Sequence, residues 1–212
     1  MFRLRQARKL AKLGMMQNNC KIAVTGGIGS GKSVAVSIIK ELGYPVFSCD
    51  QITAVLYKNK SVLKGLKKIF PTAIKGIFNL KADKKEIARI IFSDKSKYEQ
   101  LNDFLMPLIL SELFDKLKGE KGLVFAEVPL LFERNLQNQF DHVIVITRDK
   151  NSRIESVIKR SNLTKEQVEE RIKMQFDYDI FSPNKEIVIE NDGSLKSFRE
   201  KIKNAVDNII NL

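Results

Sequence analysis

An eight-residue glycine-rich segment, Gly26 to Ser33, carries the residues of this chain best suited to chemistry. It reads Gly-Gly-Ile-Gly-Ser-Gly-Lys-Ser and fits the pattern G-x-x-x-x-G-K-[ST]. Backbone N–H groups can turn inward around an anion there, because glycine has no side chain to obstruct them. Lys32 can reach the β- and γ-phosphates, and the Ser33 hydroxyl can bind Mg²⁺. We therefore predict ATP and Mg²⁺ as ligands, with nucleotide contacts from Gly27, Ile28, Gly29, Ser30, Gly31, Lys32, Ser33 and Val34.

The segments on either side of this loop fit the same interpretation. Residues 21–25, with apolar side chains at Ile22, Ala23 and Val24, are typical of a buried strand. Val34, Ile38 and Leu42 follow at four-residue spacing, which predicts a helix that begins at the loop. The start of a helix adds partial positive charge directed at a bound phosphate. A chance match within an ordinary glycine-rich turn is the alternative, and the flanking strand and helix argue against it.

Asp50 is the best candidate for the group that prepares a phosphoryl acceptor. It follows an apolar strand predicted over 45–49, and ligands of open α/β sheets bind outside the carboxyl ends of the strands. A carboxylate there can accept a hydrogen bond from an acceptor hydroxyl and take its proton. Asp50 could also cap the helix expected from Gln51 onward, and the two roles are compatible. We predict phosphoryl transfer with Asp50, Lys32 and one arginine as catalytic groups.

The arginine is expected from two helices predicted between residues 151 and 176, which would form a mobile lid. Arg153, Arg160 and Arg171 all lie there, and guanidinium groups bind phosphate oxygens in pairs. Each could instead lie on a solvated helix face. We choose Arg160, at the turn between the helices, as the one that reaches the triphosphate.

Glu127 lies near the end of a buried strand predicted over 123–128. An acid in such a strand is costly unless it is paired, so Glu127 could hold a metal-bound water or Lys32. Alternatively, it lies at the exposed end of the strand. The residues themselves favour these two interpretations equally.

Composition restricts the class of protein. The chain has 212 residues and is 43% hydrophobic, which suits one domain of ordinary size with a small appended lobe. The sequence contains no run of about 18 apolar residues, so we predict no membrane span. Two cysteines and one histidine argue against a disulfide framework and a His/Cys metal cage. We expect a reducing, cytoplasmic location.

The net charge of +12 raises the alternative of a nucleic-acid-binding ATPase. Five of the positive charges lie in residues 1–19, which contain no acid, and the rest of the chain intersperses both signs. We therefore favour small polyanions over nucleic acid as partners, and we expect a monomer. We interpret residues 1–19 as an upstream start or frayed helix, in preference to a targeting peptide or an arm for an acidic partner.

The alternation of strands and helices predicts an α/β fold with a central parallel sheet. Residues 51–118 show no convincing strand pair, and their long helix over 95–118 should be kinked or split by Pro107. A capping box of Thr164 and Gln167 should open the second lid helix. Strands are expected over 21–25, 45–49, 123–128, 142–147 and 186–190, with a last helix near 195–209.

Several motifs together resemble the dephospho-CoA kinase family. The run from Ile22 to Ser33 looks like the opening of that family, and Asp50 after an apolar strand is similar to its second-strand signature. Its Pro-Leu-Leu-Phe-Glu signature stands intact at Pro129 to Glu133. Further matching positions are Leu101, Asn102, Pro107, Leu108, Ile109, Arg160, Leu163, Thr164, Gln175, Asn191, Gly193 and Ser194.

This resemblance implies ATP-dependent phosphorylation of the ribose 3′-hydroxyl of dephospho-CoA, the last step of coenzyme A synthesis, with Asp50 as the base. It implies a three-layer P-loop kinase fold with a helical substrate-binding insertion and a small helical lid. The implied acceptor contacts are Asp50, Pro129, Leu130, Leu131 and Glu133. The implied parts are a basic extension (1–19), a nucleotide-binding core (20–50, 119–149 and 181–212), a helical substrate domain (51–118) and a lid (150–180).

Three departures from the family pattern concern the acceptor and adenine sides. Ser48 replaces an acid before Asp50, Met106 replaces a histidine, and Lys185-Glu186 replaces alanine-aspartate. None removes the core machinery, so we expect an active enzyme. Another nucleoside or nucleotide kinase is the nearest alternative. A GTPase-like switch is disfavoured, because Asn184-Lys185-Glu186-Ile187 differs from the Asn-Lys-x-Asp guanine signature.

Overall fold

The computed structural model describes residues 19–77, 79–161, 163–181 and 183–211. The predictions for residues 1–19 therefore fall outside the described residues, apart from Asn19. The chain separates into two compact units, one made of residues up to Phe47 and from Leu117 onward, the other of Ser48–Lys116. The parallel sheet belongs to the first unit, and a helical segment forms the second.

The strands, in chain order, are β1 (Cys20–Thr25), β2 (Val46–Ser48), β3 (Ile74–Lys75), β4 (Lys81–Ala82), β5 (Leu123–Glu127), β6 (His142–Thr147) and β7 (Ile187–Glu190). The helices are α1 (Lys32–Glu41), α2 (Cys49–Leu56), α3 (Lys60–Ile69), α4 (Lys84–Ser93), α5 (Lys95–Lys118), α6 (Lys150–Arg160), α7 (Lys165–Lys173) and α8 (Leu195–Ile210). A short 3₁₀ helix covers Gln137–Gln139. None of the described helices combines the length and apolar character that a membrane crossing needs.

The large sheet confirms the predicted α/β class. Within the described residues it has five strands in the order β2-β5-β1-β6-β7. β1 runs parallel to β5 and β6, and β6 runs parallel to β7. Parallel strands share one carboxyl edge, where α/β proteins bind ligands. The glycine-rich loop follows the central strand and so emerges in the middle of that edge.

The core of the first unit lies between the sheet and the helices α1 and α8. Side chains of α1 at Ala35, Ile38 and Ile39 pack with sheet residues and with Phe198 of α8 in one buried cluster. Ile38 is buried as predicted, whereas Val34, in the first turn of the helix, is 41% exposed.

Helices α6 and α7 contact each other through a separate small cluster of Ile154, Val157 and Val168. The predicted capping box of α7 is confirmed, since Thr164 and Gln167 bond reciprocally at its start. α7 ends at Lys173, before the predicted 176. The residues that follow leave the helix and bond to other parts of the first unit.

One prediction about the second unit was wrong, and another was wrong in part. β3 and β4 form a short antiparallel pair, with Ile74 opposite Ala82. Strands of two residues are too short to show an alternating pattern in the sequence. α5 is also one continuous helix through Pro107, so the predicted split was wrong and a kink there stays a prediction. The loss of one backbone hydrogen bond at proline is outweighed by the buried side chains along α5, which are Leu101, Leu105, Ile109 and Leu113.

Candidate nucleotide-binding site

The backbone of the glycine-rich loop requires glycine at specific positions. Gly26, Gly29 and Gly31 have φ angles of 145°, 79° and 103°, which L-residues with a Cβ rarely adopt. At Gly31 there is also no room, because a Cβ would lie 2.4 Å from Nδ2 of Asn191. That same Nδ2 donates to the carbonyl oxygen of Ser30 at 2.9 Å. Two features therefore hold the loop in its curved conformation: the glycine residues that permit positive φ angles, and the contact with the Asn191 side chain.

Lys32 folds back over the loop that precedes it. Its Nζ donates to the carbonyl oxygens of Gly26 at 2.5 Å and Gly27 at 3.0 Å. These bonds fix the ammonium group directly above the loop, at the beginning of α1. A cation in this place can neutralise charge on the outer phosphates of a nucleotide.

The start of α1 has no side-chain cap. Its N-cap residue is Gly31, and its first turn contains no acidic residue. The N–H groups and the helix dipole at such an end favour an anion. Ser33, the second residue of the helix, is exposed. Its hydroxyl is available to a metal ion that accompanies a bound phosphate.

Glu127 is buried, at 7% exposure. It is the last residue of β5 and lies opposite Val24 in β1. The interpretation that placed it at an exposed strand end was therefore wrong. A buried carboxylate needs a partner. Because Glu127 lies beside the strand that leads into the loop, a cation or a metal-bound water remains the interpretation that fits.

A segment predicted mostly as part of the lid, Met174–Phe181, meets the loop and the end of β1. We call it the return segment. Oε1 of Gln175 accepts a hydrogen bond from the Ile28 N–H at 2.7 Å. The Tyr178 hydroxyl shares one with Oγ1 of Thr25 at 3.2 Å. Burial raises the pKa of Tyr178 far above its ordinary value, so its phenol stays neutral and keeps this bond.

The Pro-Leu-Leu-Phe-Glu segment holds the return segment in place. Oε1 of Glu133 accepts a hydrogen bond from the Phe176 N–H at 2.9 Å. The Phe132 ring lies 4.9 Å from the ring of Phe176 and 5.0 Å from that of Phe181. Leu131 is fully buried, so its side chain belongs to the core. Contacts of Pro129, Leu130, Leu131 and Glu133 with an acceptor stay predictions.

The two arginines of α6 differ sharply in position. Arg153 is 3% exposed, and its Nε donates to the carbonyl oxygen of Ile28 at 3.2 Å. Arg160, the predicted catalytic arginine, is exposed at the last position of the helix. The structure thus brings Arg153 to the loop, and the role of Arg160 stays a prediction. One sequence feature could have favoured Arg153 over Arg160. Arg153 lies near the start of a helix that directly follows a strand of the sheet, and so near the carboxyl edge where the loop lies.

Asp50 is the second residue of α2 and is exposed. The N-cap of this helix is Ser48, whose side chain makes no capping bond. The interpretation of Asp50 as the N-cap was therefore wrong, because β2 ends at Ser48 and the helix begins earlier than predicted. Asp50 stands two residues beyond the carboxyl end of β2, and its catalytic role stays a prediction.

The described parts of the chain contain no cluster of side chains that could bind a metal ion without a nucleotide. No group of three or more His, Cys, Asp or Glu side chains there could hold a metal ion. Mg²⁺ that accompanies a nucleotide needs few protein ligands, since phosphate oxygens and water complete its shell. The exposed hydroxyl of Ser33 fits that limited demand.

Comparison with known proteins gives concordant matches over nearly the whole described chain. A family model described as Dephospho-CoA kinase matches residues 20–197. A curated Dephospho-CoA kinase of Thermus thermophilus is 32% identical over 183 residues, covering 86% of this chain and 88% of that protein. The crystal structure of TT1252 from Thermus thermophilus is 30% identical, with a TM-score of 0.75, and covers 91% of this chain and 97% of that chain. A Dephospho-CoA kinase structure from Campylobacter jejuni is 26% identical, with a TM-score of 0.63, and covers 89% and 96%.

Proposed function

The chain belongs to the dephospho-CoA kinase family, and from this premise we propose that it phosphorylates the ribose 3′-hydroxyl of dephospho-CoA with ATP. The products are coenzyme A and ADP. The observation that carries the proposal is the family match over residues 20–197. The glycine-rich loop at the centre of the sheet edge supports it, because that loop supplies the phosphate-binding groups the reaction needs.

The phosphate tail of ATP would be held by the loop backbone, by the uncapped start of α1 and by Lys32. In the transfer step, the 3′-oxygen of the acceptor forms a bond to the γ-phosphorus. The bond from that phosphorus to the β–γ bridging oxygen breaks, and the electron pair leaves with ADP. Lys32, whose Nζ is fixed above the loop by two carbonyl oxygens, would neutralise charge that develops on the phosphates.

We assign to Asp50 the removal of the proton from the 3′-hydroxyl. A carboxylate in hydrogen-bond reach of the acceptor orients it and accepts its proton as the new bond forms. The supporting observation is its place two residues beyond β2, after the carboxyl end of a strand of the parallel sheet. The family resemblance points to the same residue.

Mg²⁺ would be held by the Ser33 hydroxyl together with phosphate oxygens, and it would supply charge neutralisation on the triphosphate. The buried carboxylate of Glu127 would fix a water of that ion or the ammonium of Lys32. Arg160 would contribute a further cation when the lid helices bind the nucleotide. Residues 51–118 and the segment Pro129–Glu133 would supply acceptor contacts. A cytoplasmic location and a monomeric state complete the proposal.

The decisive experiment offers the purified protein ATP with one acceptor at a time: dephospho-CoA, AMP, adenosine or shikimate. We expect ADP formation above the acceptor-free rate with dephospho-CoA only. The product should be identified by mass as coenzyme A. Turnover with AMP or adenosine in preference to dephospho-CoA would replace the proposal with a nucleotide or nucleoside kinase.

Replacing the proposed base tests the mechanism separately. Asp50→Asn should lower kcat by about 10²–10⁴, the range typical of general acid–base groups. The Kd of ATP should stay within about twofold, because the carboxylate acts on the acceptor. Glu200→Gln, at an exposed acid on α8, is the matched control and should keep wild-type kcat. Wild-type turnover of Asp50→Asn would remove Asp50 from the mechanism.

A further inference from the structure

Arg153 packs against three consecutive residues of the glycine-rich loop. A Cβ added at Gly27 would lie 3.0 Å from Nη2 and 3.1 Å from Cζ of Arg153. The carbonyl oxygen of Ile28 accepts a hydrogen bond from Arg153 Nε at 3.2 Å. A Cβ added at Gly29 would lie 2.5 Å from the Arg153 carbonyl oxygen. The side chain and the backbone of one α6 residue therefore shape the first half of the loop.

Gln175 acts on the same loop residue. Arg153 donates to the Ile28 carbonyl oxygen, and the Gln175 side chain accepts from the Ile28 N–H. Both polar groups of Ile28 thus bond to side chains, 125 and 147 residues further along the chain. Arg153 and Gln175 also line the same cavity of about 270 Å³. They form a clamp on Ile28, which we call the Ile28 clamp.

The charge of Arg153 is only partly compensated by its acidic partner. Nη1 of Arg153 lies 3.1 Å from Oδ1 of Asp179, whose side chain is 45% exposed, whereas the Arg153 side chain is 3% exposed. Water screens the exposed carboxylate more than the buried guanidinium. Positive potential therefore remains beside Gly27, in the loop that would hold the phosphates of ATP. Such a fixed cation favours a bound anion.

We propose that Arg153 is a positioning residue for the nucleotide, which acts with Gln175 through the Ile28 clamp. The clamp holds the Gly27–Gly29 backbone in its phosphate-binding shape and joins α6 and the return segment to the loop. Preorganised donors cost no rearrangement when the ligand binds. Loss of either side chain should therefore weaken the binding of ATP more than the binding of the acceptor. The inference depends on the proposed ATP site and is independent of the acceptor.

The first test compares Arg153→Met with Lys159→Met, an exposed position on the same helix. Calorimetry measures the Kd of a non-hydrolysable ATP analogue, and thermal unfolding measures stability. Kinetics separate the KM for ATP from the KM for dephospho-CoA. Arg153→Met should weaken binding of the analogue about tenfold or more, since a charge-assisted hydrogen bond is lost. The KM for dephospho-CoA and all values of the control should change less than about twofold.

A steric test uses the contact between Gly27 and the guanidinium. Gly27→Ala places a methyl group against Nη2 and Cζ of Arg153 and should weaken analogue binding. In the Arg153→Met background the shorter side chain leaves room, so the same Gly27→Ala change should cost much less. Additive losses would show that Arg153 does not shape the loop at Gly27 and would contradict the proposal.

Gln175→Ala provides a test that leaves no buried charge unpaired. It should weaken analogue binding about threefold to tenfold with an unfolding temperature near that of the wild type, and its effect should be less than additive with Arg153→Met. If Arg153→Met does not fold, Gln175→Ala and Gly27→Ala decide the matter alone. Unchanged analogue binding in Gln175→Ala overturns the proposal, as does an equal loss of ATP and dephospho-CoA affinity in Arg153→Met. Analogue binding remains measurable even if dephospho-CoA is not the acceptor, so the two proposals can fail separately.

Discussion

Helices α1 and α7 begin in opposite ways, although both start directly after a loop of the first unit. At α7, Oγ1 of Thr164 accepts from the Gln167 N–H at 3.4 Å, and Oε1 of Gln167 accepts from the Thr164 N–H at 3.1 Å. At α1, the cap position is Gly31, no side chain caps the helix, and the first turn has no acid. The sequence of α7 satisfies its own helix end, and that of α1 does not.

The capped start of α7 serves stability, whereas the uncapped start of α1 is suited to ligand binding. Helix N-termini with a polar cap are satisfied internally, and their caps contribute to the free energy of unfolding. An uncapped helix end behind a glycine-rich loop directs its N–H groups and dipole at a ligand. Disturbing the start of α1 should therefore impair ATP use, and removing the capping box of α7 should lower stability alone.

Removing the cation at the start of α1 should have the largest effect. Lys32→Ala should lower kcat/KM for ATP by about 10²–10³, the range found when one donor to developing charge is lost. Lys40→Ala, at the exposed other end of the same helix, is the matched control. Steady-state ADP formation measures both. A normal kcat/KM in Lys32→Ala would refute the role of Lys32.

A side chain at the α1 cap should impair both binding and stability. Gly31→Ala forces alanine to a φ of 103° and places its Cβ 2.4 Å from Asn191 Nδ2. Strain of about 1–3 kcal/mol is expected from such a backbone, with ATP affinity reduced about tenfold. Gly193→Ala is the control, because its Cβ would make only ordinary contacts at 3.6 Å. Calorimetry and urea unfolding measure the two quantities.

The α7 cap should affect stability only. Thr164→Ala should lower the free energy of unfolding by about 1 kcal/mol, as for other N-cap residues, and Tm by about 2–4 °C. Thr164→Ser keeps the capping oxygen and should retain most of the stability. ATP affinity should be unchanged in both variants. A loss of ATP affinity in Thr164→Ala would end the proposed contrast between the two helix ends.

The smallest effect concerns pH at the start of α6. Hydrogen bonds from the Ser152 side chain and backbone lower the pKa of Asp149, the N-cap residue. A carboxyl whose pKa is lowered on folding stabilises the protein above its unfolded pKa of about 3.9 and loses that contribution as pH falls through the folded pKa. Stability from this cap should thus be constant near pH 7 and decline below about pH 4. Asp149→Asn, whose amide oxygen does not titrate, should remove this part of the acid sensitivity in urea unfolding.

Patterns of neighbouring residues in the sequence correctly predicted the strand, loop and helices that form the candidate site. The Gly-Lys-Ser spacing, the apolar strand before it and the capping box of α7 each depend on neighbouring residues, so the sequence predicted them correctly. The β3–β4 pair and the intact helix at Pro107 were missed, because very short strands show no period and proline can be accommodated in a long helix. The exposure of Val34 was missed because the spacing of apolar residues defines a helix face and does not show which of them the sheet covers.

By itself the sequence determined the phosphate-binding loop, the order of strands along the chain and the kinase motifs, since these are properties of contiguous residues. Only the tertiary structure decided that Arg153, Gln175 and Tyr178 meet the loop and the end of β1. Their hydrogen bonds join residues 125, 147 and 153 positions apart. No periodicity encodes such pairs, because their proximity arises from parallel strands that bring distant segments to one edge of the sheet.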